Sequence, residues 1–164
     1  MHLRKGFNVA LMEIRRISPF FSVSPQIYPA HIECLAALDF KTIFNNRPDH
    51  EADDQPLGVE LAAEAAKHGV VYVNLPIISG GINEKNVADF SVEIARAKAP
   101  VLAFCRSGMR STILWARHEA RHMDADVLIS FAAGIGYDLS SSKDIFEQAA
   151  CSGKAVLQRP GAAF

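Results

Sequence analysis

Nowhere in its 164 residues does this chain run to the roughly 20 consecutive apolar residues a membrane-spanning helix needs, so no membrane partner is expected. Cysteine is scarce: the three present, Cys34, Cys105 and Cys151, are too few and odd in number for a disulfide framework. A reducing, cytoplasmic compartment suits them better. An excess of either charge is also lacking. Seventeen Lys and Arg face 18 Asp and Glu, a formal net charge of −1, which gives no electrostatic reason to expect nucleic acid. Internal repeats and low-complexity tracts are absent too, which excludes a solenoid. What remains is ordinary globular material, 49% apolar and 21% charged, and long enough for one domain with a substantial core.

The first residues, Met1 to Leu11, are basic and then apolar, in the manner of a secretory leader. The apolar stretch is too short, however, and Glu13, Arg15 and Arg16 follow with no small-residue cleavage site. Residues 1–11 therefore read as an N-terminal extension, 12–152 as the domain, and 153–164 as a flexible tail.

Within the domain, strand-like and helix-like segments alternate. Phe20–Val23, Lys41–Asn45, Val70–Asn74 and Pro100–Phe104 carry strand patterns. Helical patterns cover His31–Leu38, Glu60–His68 and Glu84–Ala97, and Gly69 is placed to end the second of these. Only helices follow, around Ser111–His122, Asp124–Ala133 and Ser142–Cys151. This order predicts an α/β fold: a central, mostly parallel sheet of about four or five strands with helices on both faces. Ligands bind such sheets at the carboxyl ends of the strands, where Asn46–His50, the Ser79 loop and Cys105 all fall.

The most informative passage is Cys105-Arg106-Ser107-Gly108-Met109-Arg110-Ser111-Thr112. A strand precedes it, and a helix opened by Ser111 and Thr112 as N-cap residues follows. A loop feeding a helix N-terminus is an anion cradle. Its N–H groups (residues Arg106, Ser107, Gly108, Met109) turn inward, the helix dipole adds positive charge, and Arg110 offers a bidentate fork. The same field favours thiolate over thiol, which makes Cys105 the nucleophile candidate. Cys34 and Cys151 read as small hydrophobes.

Several segments resemble one bacterial family: Met12–Pro19, Ser22–Ile27, Thr42–Asp49 and Pro100–Trp115, in that order. It is the phosphatase-like domain of the β-lactamase-hydrolase-like proteins, which occurs alone or fused to metallo-β-lactamase-type hydrolases. The resemblance covers about residues 12–135. It implies a fold similar to dual-specificity protein phosphatases, with Cys105 as nucleophile and Arg110 as phosphate-binding arginine.

Three departures from the phosphatase pattern stand out. Phe104 replaces the histidine before the nucleophile. Cys105 and Arg110 enclose four residues where the phosphatases have five. The stretch Pro76–Ile82, where a general-acid aspartate belongs, contains no acid. The shorter loop also resembles that of rhodanese-type sulfurtransferases, although no Gly-His-Ile-Pro-Gly-Ala-like passage accompanies it.

Around this centre, Asn45-Asn46-Arg47-Pro48-Asp49 offers Arg47 as added positive charge and Asp49 as a displaced acid; the same residues are also good turn formers. Ser111 is expected to hydrogen-bond the cysteine sulfur. Glu51, Asp53 and Asp54 read as a solvated rim, Gly80-Gly81 as a flexible rim, and Phe104, Trp115, Phe131 and Tyr137 as core. His118-Glu119-Ala120-Arg121-His122 has zinc-protease spacing but no third ligand in a recognisable context, so no metal and no cofactor are expected. The leading expectation is a cysteine-dependent phosphatase acting through a phosphocysteine on a small-molecule or protein phosphate ester. The alternatives are a sulfurtransferase fed by a sulfane-sulfur donor, and an inactive phosphate- or sulfate-sensing module. A homo-oligomer is compatible with each.

Overall fold

Val101–Phe104 is buried along its whole length, and its side chains part to two sides. Val101 and Ala103 join one apolar cluster, Leu102 and Phe104 the other. The two-residue period of a strand sends neighbours to opposite faces, so such a strand needs a helical layer on each side. The computed structural model, which describes residues 12–157, has that architecture.

The strands are β1 (Arg15–Arg16), β2 (Phe21–Ser24), β3 (Thr42–Asn45), β4 (Val71–Asn74) and β5 (Val101–Phe104). The helices are α1 (Pro29–Ala37), α2 (Gly58–Lys67), α3 (Glu84–Arg96), α4 (Met109–Glu119), α5 (Ala125–Gly134) and α6 (Lys143–Leu157). The sheet order is β1-β2-β5-β3-β4, all parallel except β1, which pairs antiparallel to β2. The expected α/β architecture is thus present. Only β1 went unread, because two residues are too few to show alternation.

One face of the sheet packs on α1 and α2 through Ile32, Leu35, Leu61 and Ala65. The other packs on α3 to α6 through Phe90, Leu114, Leu128 and Phe146. Phe104, at the position where the phosphatases carry histidine, is fully buried on the α1–α2 face. Phe131 departs from expectation: it is 37% exposed and packs beside Trp115.

Register carries function here. Ser24, Phe104, Asn45 and Asn74 stand level across the four parallel strands, so the loops after them emerge along one edge. At the other segment ends, α6 continues to Leu157, past the domain end expected at residue 152. The expectations for residues 1–11 and 158–164 lie outside the described residues.

Candidate functional site

Cys105 directly follows β5 and is 1% exposed. The chain then turns through Gly108, whose φ of +89° lies in the left-handed region. A Cβ at that position would stand 2.1 Å from the Tyr137 hydroxyl oxygen, so both torsion and space require glycine. The Gly108 N–H donates to Cys105 Sγ at 3.1 Å. Helix α4 starts at Met109, two residues earlier than Ser111 and Thr112 suggested. Gly108 is the cap because the left-handed turn already aims the chain into the helix. Thr112 closes the first turn, its Oγ1 donating to the Gly108 carbonyl at 2.8 Å. The sulfur and the α4 N-terminus therefore meet, as an anion site requires.

Arg110 projects from that first turn and is buried. Its Nη1 donates to the Ile77 carbonyl at 2.7 Å and to Glu51 Oε1 at 2.7 Å, and its Nη2 donates to Glu51 Oε2 at 2.9 Å. Arg47, also buried, donates from Nε to the same Glu51 Oε2 at 2.8 Å and from Nη1 to Gln26 Oε1 at 2.8 Å. Gln26 in turn donates its backbone N–H to the Arg106 carbonyl at 3.2 Å. Loops following β2, β3, β4 and β5 are thereby tied together around one carboxylate.

Glu51 is thus not part of a solvated rim. Although the residue as a whole is exposed, its side chain is only 24% accessible and sits in the fork of two arginines. The hydrogen bonds from Arg110, then the one from Arg47, overcome the cost of burial and pull its pKa down to about 2. Arg110 is pushed up reciprocally, first by Glu51 and then by the nearby Cys105. A carboxylate with a depressed folded-state pKa contributes stability that is complete above its unfolded value of 4.5 and fades as pH falls toward about 2. Acid unfolding should accordingly steepen over that window. In Glu51→Gln, thermal melting followed from pH 6 to pH 2 should lose that part of the slope; an unchanged slope would assign the acid sensitivity to other groups.

Other expected site residues are placed differently. Ser111 Oγ donates to Asn46 Oδ1 at 2.9 Å, not to the cysteine sulfur, because the earlier helix start turns it toward β3. Asn46 Nδ2 donates onward to the Leu75 carbonyl at 3.2 Å. Asp49 turns to the foot of α2, where Oδ1 accepts the Gly58 N–H at 2.8 Å beside Tyr72 and Asn45. That contact satisfies one of the free amides of the helix start and gives Asp49 a structural use. Arg47 does join the site, but through Glu51. Arg106 and Ser107 are exposed at the loop's tip, and Met109 is half-buried.

Beside the loop opens a cavity of about 400 Å³. Ile82, Met109, Ile113 and Ile145 give it apolar walls, with Ser79, Gly80, Arg106, Ser107 and Arg110 also lining it. A second cavity, of about 460 Å³, lies toward the amino ends of β2 and β5, between Phe20, Trp115 and Phe131. Its lining contains no arginine, whereas the first cavity is lined by Arg110 and by residues of the Cys105 loop. His118 lines that second cavity, with Nδ1 2.8 Å from Ser91 Oγ and its ring against Phe90. Helix α4 ends at Glu119, so His122 does not share a helical face with it, and the zinc-protease spacing is not realised. Among the described residues no helix is long and apolar enough to cross a membrane.

Known proteins resemble this chain in sequence and in fold. The chain is 31% identical over 134 residues to the beta-lactamase hydrolase-like protein of Agrobacterium fabrum, covering 80% of this chain and 31% of that protein. It therefore spans about a third of that relative's length. A candidate phosphatase from Neisseria meningitidis Z2491 is 32% identical and superposes with a TM-score of 0.76 over 83% of this chain and 97% of its own. TpbA of P. aeruginosa, solved in complex with pTyr, shares the fold at 18% identity, with a TM-score of 0.65 over 89% of this chain and 91% of its own. The phosphatase-like domain of the beta-lactamase hydrolase-like proteins matches residues 13–122, most of this chain, and the chain belongs to that family.

Proposed function

We propose that this domain hydrolyses phosphate monoesters with Cys105 as nucleophile. The observation that carries the reading is the convergence of three groups on the α4 N-terminus: the Cys105 sulfur, the Gly108 N–H and the Arg110 guanidinium. In the first step the Cys105 thiolate attacks phosphorus, an S–P bond forms, and the P–O bond to the leaving group breaks. Water then attacks phosphorus, releasing inorganic phosphate and restoring the thiolate. Arg110 and the loop amides hold the equatorial oxygens as charge redistributes. The apolar walls of Ile82, Met109, Ile113 and Ile145 suit an apolar or aromatic leaving group. A fold neighbour binding pTyr is in keeping with such a substrate.

The two carboxylates on the loop after β3, Asp49 and Glu51, supply no proton donor. Glu51, with a pKa of about 2, is ionised at neutral pH, and Asp49 is engaged at the α2 N-terminus. Acid assistance to a departing oxygen is typically worth about 10²–10⁴-fold, and only a poor leaving group needs it. Aryl phosphates should therefore turn over faster than alkyl phosphates by about that factor. The measurement is kcat/KM across a series of esters of graded leaving-group pKa, with a Cys105→Ser control. A flat series would reveal a competent acid, and the absence of any Cys105-dependent turnover would sink the hydrolase reading. The sulfurtransferase alternative draws only on the four-residue spacing, and no second feature of the site supports it.

A further inference from the structure

The peptide unit between Ser107 and Gly108 has a distinct partner at each end. Its N–H, on Gly108, donates to Cys105 Sγ at 3.1 Å. Its carbonyl, on Ser107, accepts the Tyr137 hydroxyl at 3.0 Å. A trans peptide is a rigid plane whose C=O and N–H point to opposite sides, so whatever grips one end aims the other. The loop's own sequence cannot do the aiming. Glycine at 108 admits many backbone torsions, and Ser107 is exposed.

Tyr137 is well built for that grip. It is 4% exposed and comes from the segment after α5, 30 residues from Ser107. The Arg15 guanidinium lies 4.6 Å from the centre of its ring, a cation–π contact, and donates from Nη1 to the Ile135 carbonyl at 2.8 Å. Gly136, with φ +93°, leaves room for that contact, since a Cβ there would stand 2.4 Å from Arg15 Nη1. Strand β1 thus seats the ring, and the ring's hydroxyl seats the peptide.

We infer that Tyr137, backed by Arg15, is a positioning residue that aims the Gly108 amide at the Cys105 sulfur and at the oxyanion that binds over it. The inference rests on Cys105 being the nucleophile. A core tyrosine without this role would lose one hydrogen bond on truncation, and nothing would change at the sulfur.

Tyr137→Phe keeps the ring and its seat and removes only the hydroxyl. Two quantities need no turnover: binding of inorganic phosphate, and the pH–rate profile of Cys105 alkylation by iodoacetamide. Losing a well-aimed donor at such a site should weaken phosphate binding about tenfold and displace the alkylation profile to higher pH. The neighbouring charges, Arg110 and its partner Glu51, are untouched by the substitution. Arg15→Gln, which keeps the hydroxyl but loosens the ring, should move both readouts the same way by a smaller factor, and stands as the test if Tyr137→Phe does not fold. Unchanged phosphate binding and an unchanged profile in whichever variant folds would overturn the assignment. Hydrolysis that survives in Cys105→Ser would instead overturn the functional reading, so the two failures are distinguishable.

Discussion

Cys105→Ser is expected to retain the fold and phosphate binding while losing turnover by on the order of 10⁴-fold or more, the scale seen when a nucleophile is removed from an otherwise intact site. A serine oxygen is smaller than sulfur and fits a position only 1% exposed. It can still accept the Gly108 N–H that now meets the sulfur at 3.1 Å. The α4 N-terminus and Arg110 remain, so the anion still has its donors. What disappears is a thiol, a stronger nucleophile by its own chemistry than a hydroxyl; a serine hydroxyl needs an adjacent base, and the groups around Cys105 are a guanidinium and an amide. Turnover of an aryl phosphate and calorimetric binding of inorganic phosphate, measured on the same preparation, separate these effects. Turnover that survives would place the nucleophile elsewhere. Cys34→Ser and Cys151→Ser serve as controls, since one residue sits on the outer layer in α1 and the other is exposed on α6.

The second large effect concerns Arg110. Arg110→Ala should lower kcat/KM by about 10³-fold or more, exceeding the ordinary loss of one charged donor. The reason is Glu51. Removing the guanidinium deletes a phosphate ligand and also leaves the carboxylate, otherwise held by Arg110 at 2.7 and 2.9 Å, with Arg47 alone. A partly unpaired negative charge then faces the incoming phosphate. Arg110→Ala combined with Glu51→Gln should therefore recover about tenfold of the loss, a coupling that a double-mutant cycle measures directly. Strict additivity would mean that the two residues act independently, and a double variant no faster than Arg110→Ala alone would mean that the Glu51 charge is not felt at the site.

The strand, the proposed nucleophile and the proposed phosphate-binding arginine were legible in sequence because each is signalled within a few residues. Val101–Phe104 announces a doubly buried strand, and Cys105 to Arg110 a loop opening a helix. Glu51 was not legible. It stands in the acidic run Glu51-Ala52-Asp53-Asp54, and composition does not say which carboxylate turns inward. The only trace is its position four residues after Arg47, a weak signal outside a helix. Asp49 misled for the same reason: an aspartate in a site-facing loop reads as an acid until its partner, the Gly58 amide, is seen. Ser111 misled because the N-cap reading put the helix start two residues late, which turns a side chain by more than half a helical circuit.

By itself the sequence determined the order and type of the elements other than β1, and singled out the candidate nucleophile and the candidate phosphate-binding arginine. All of these follow from torsional preference and apolar period, which act over one or two turns of chain. Tertiary structure alone decided which distant groups complete the site. Glu51 reaches Arg110 across 59 residues, Asn46 reaches Ser111 across 65, and Tyr137 reaches Ser107 across 30. Those partners meet because level strands in one parallel sheet deliver their loops to one edge. Buried polar groups gathered there must then find one another or remain unsatisfied, and no local pattern encodes that choice.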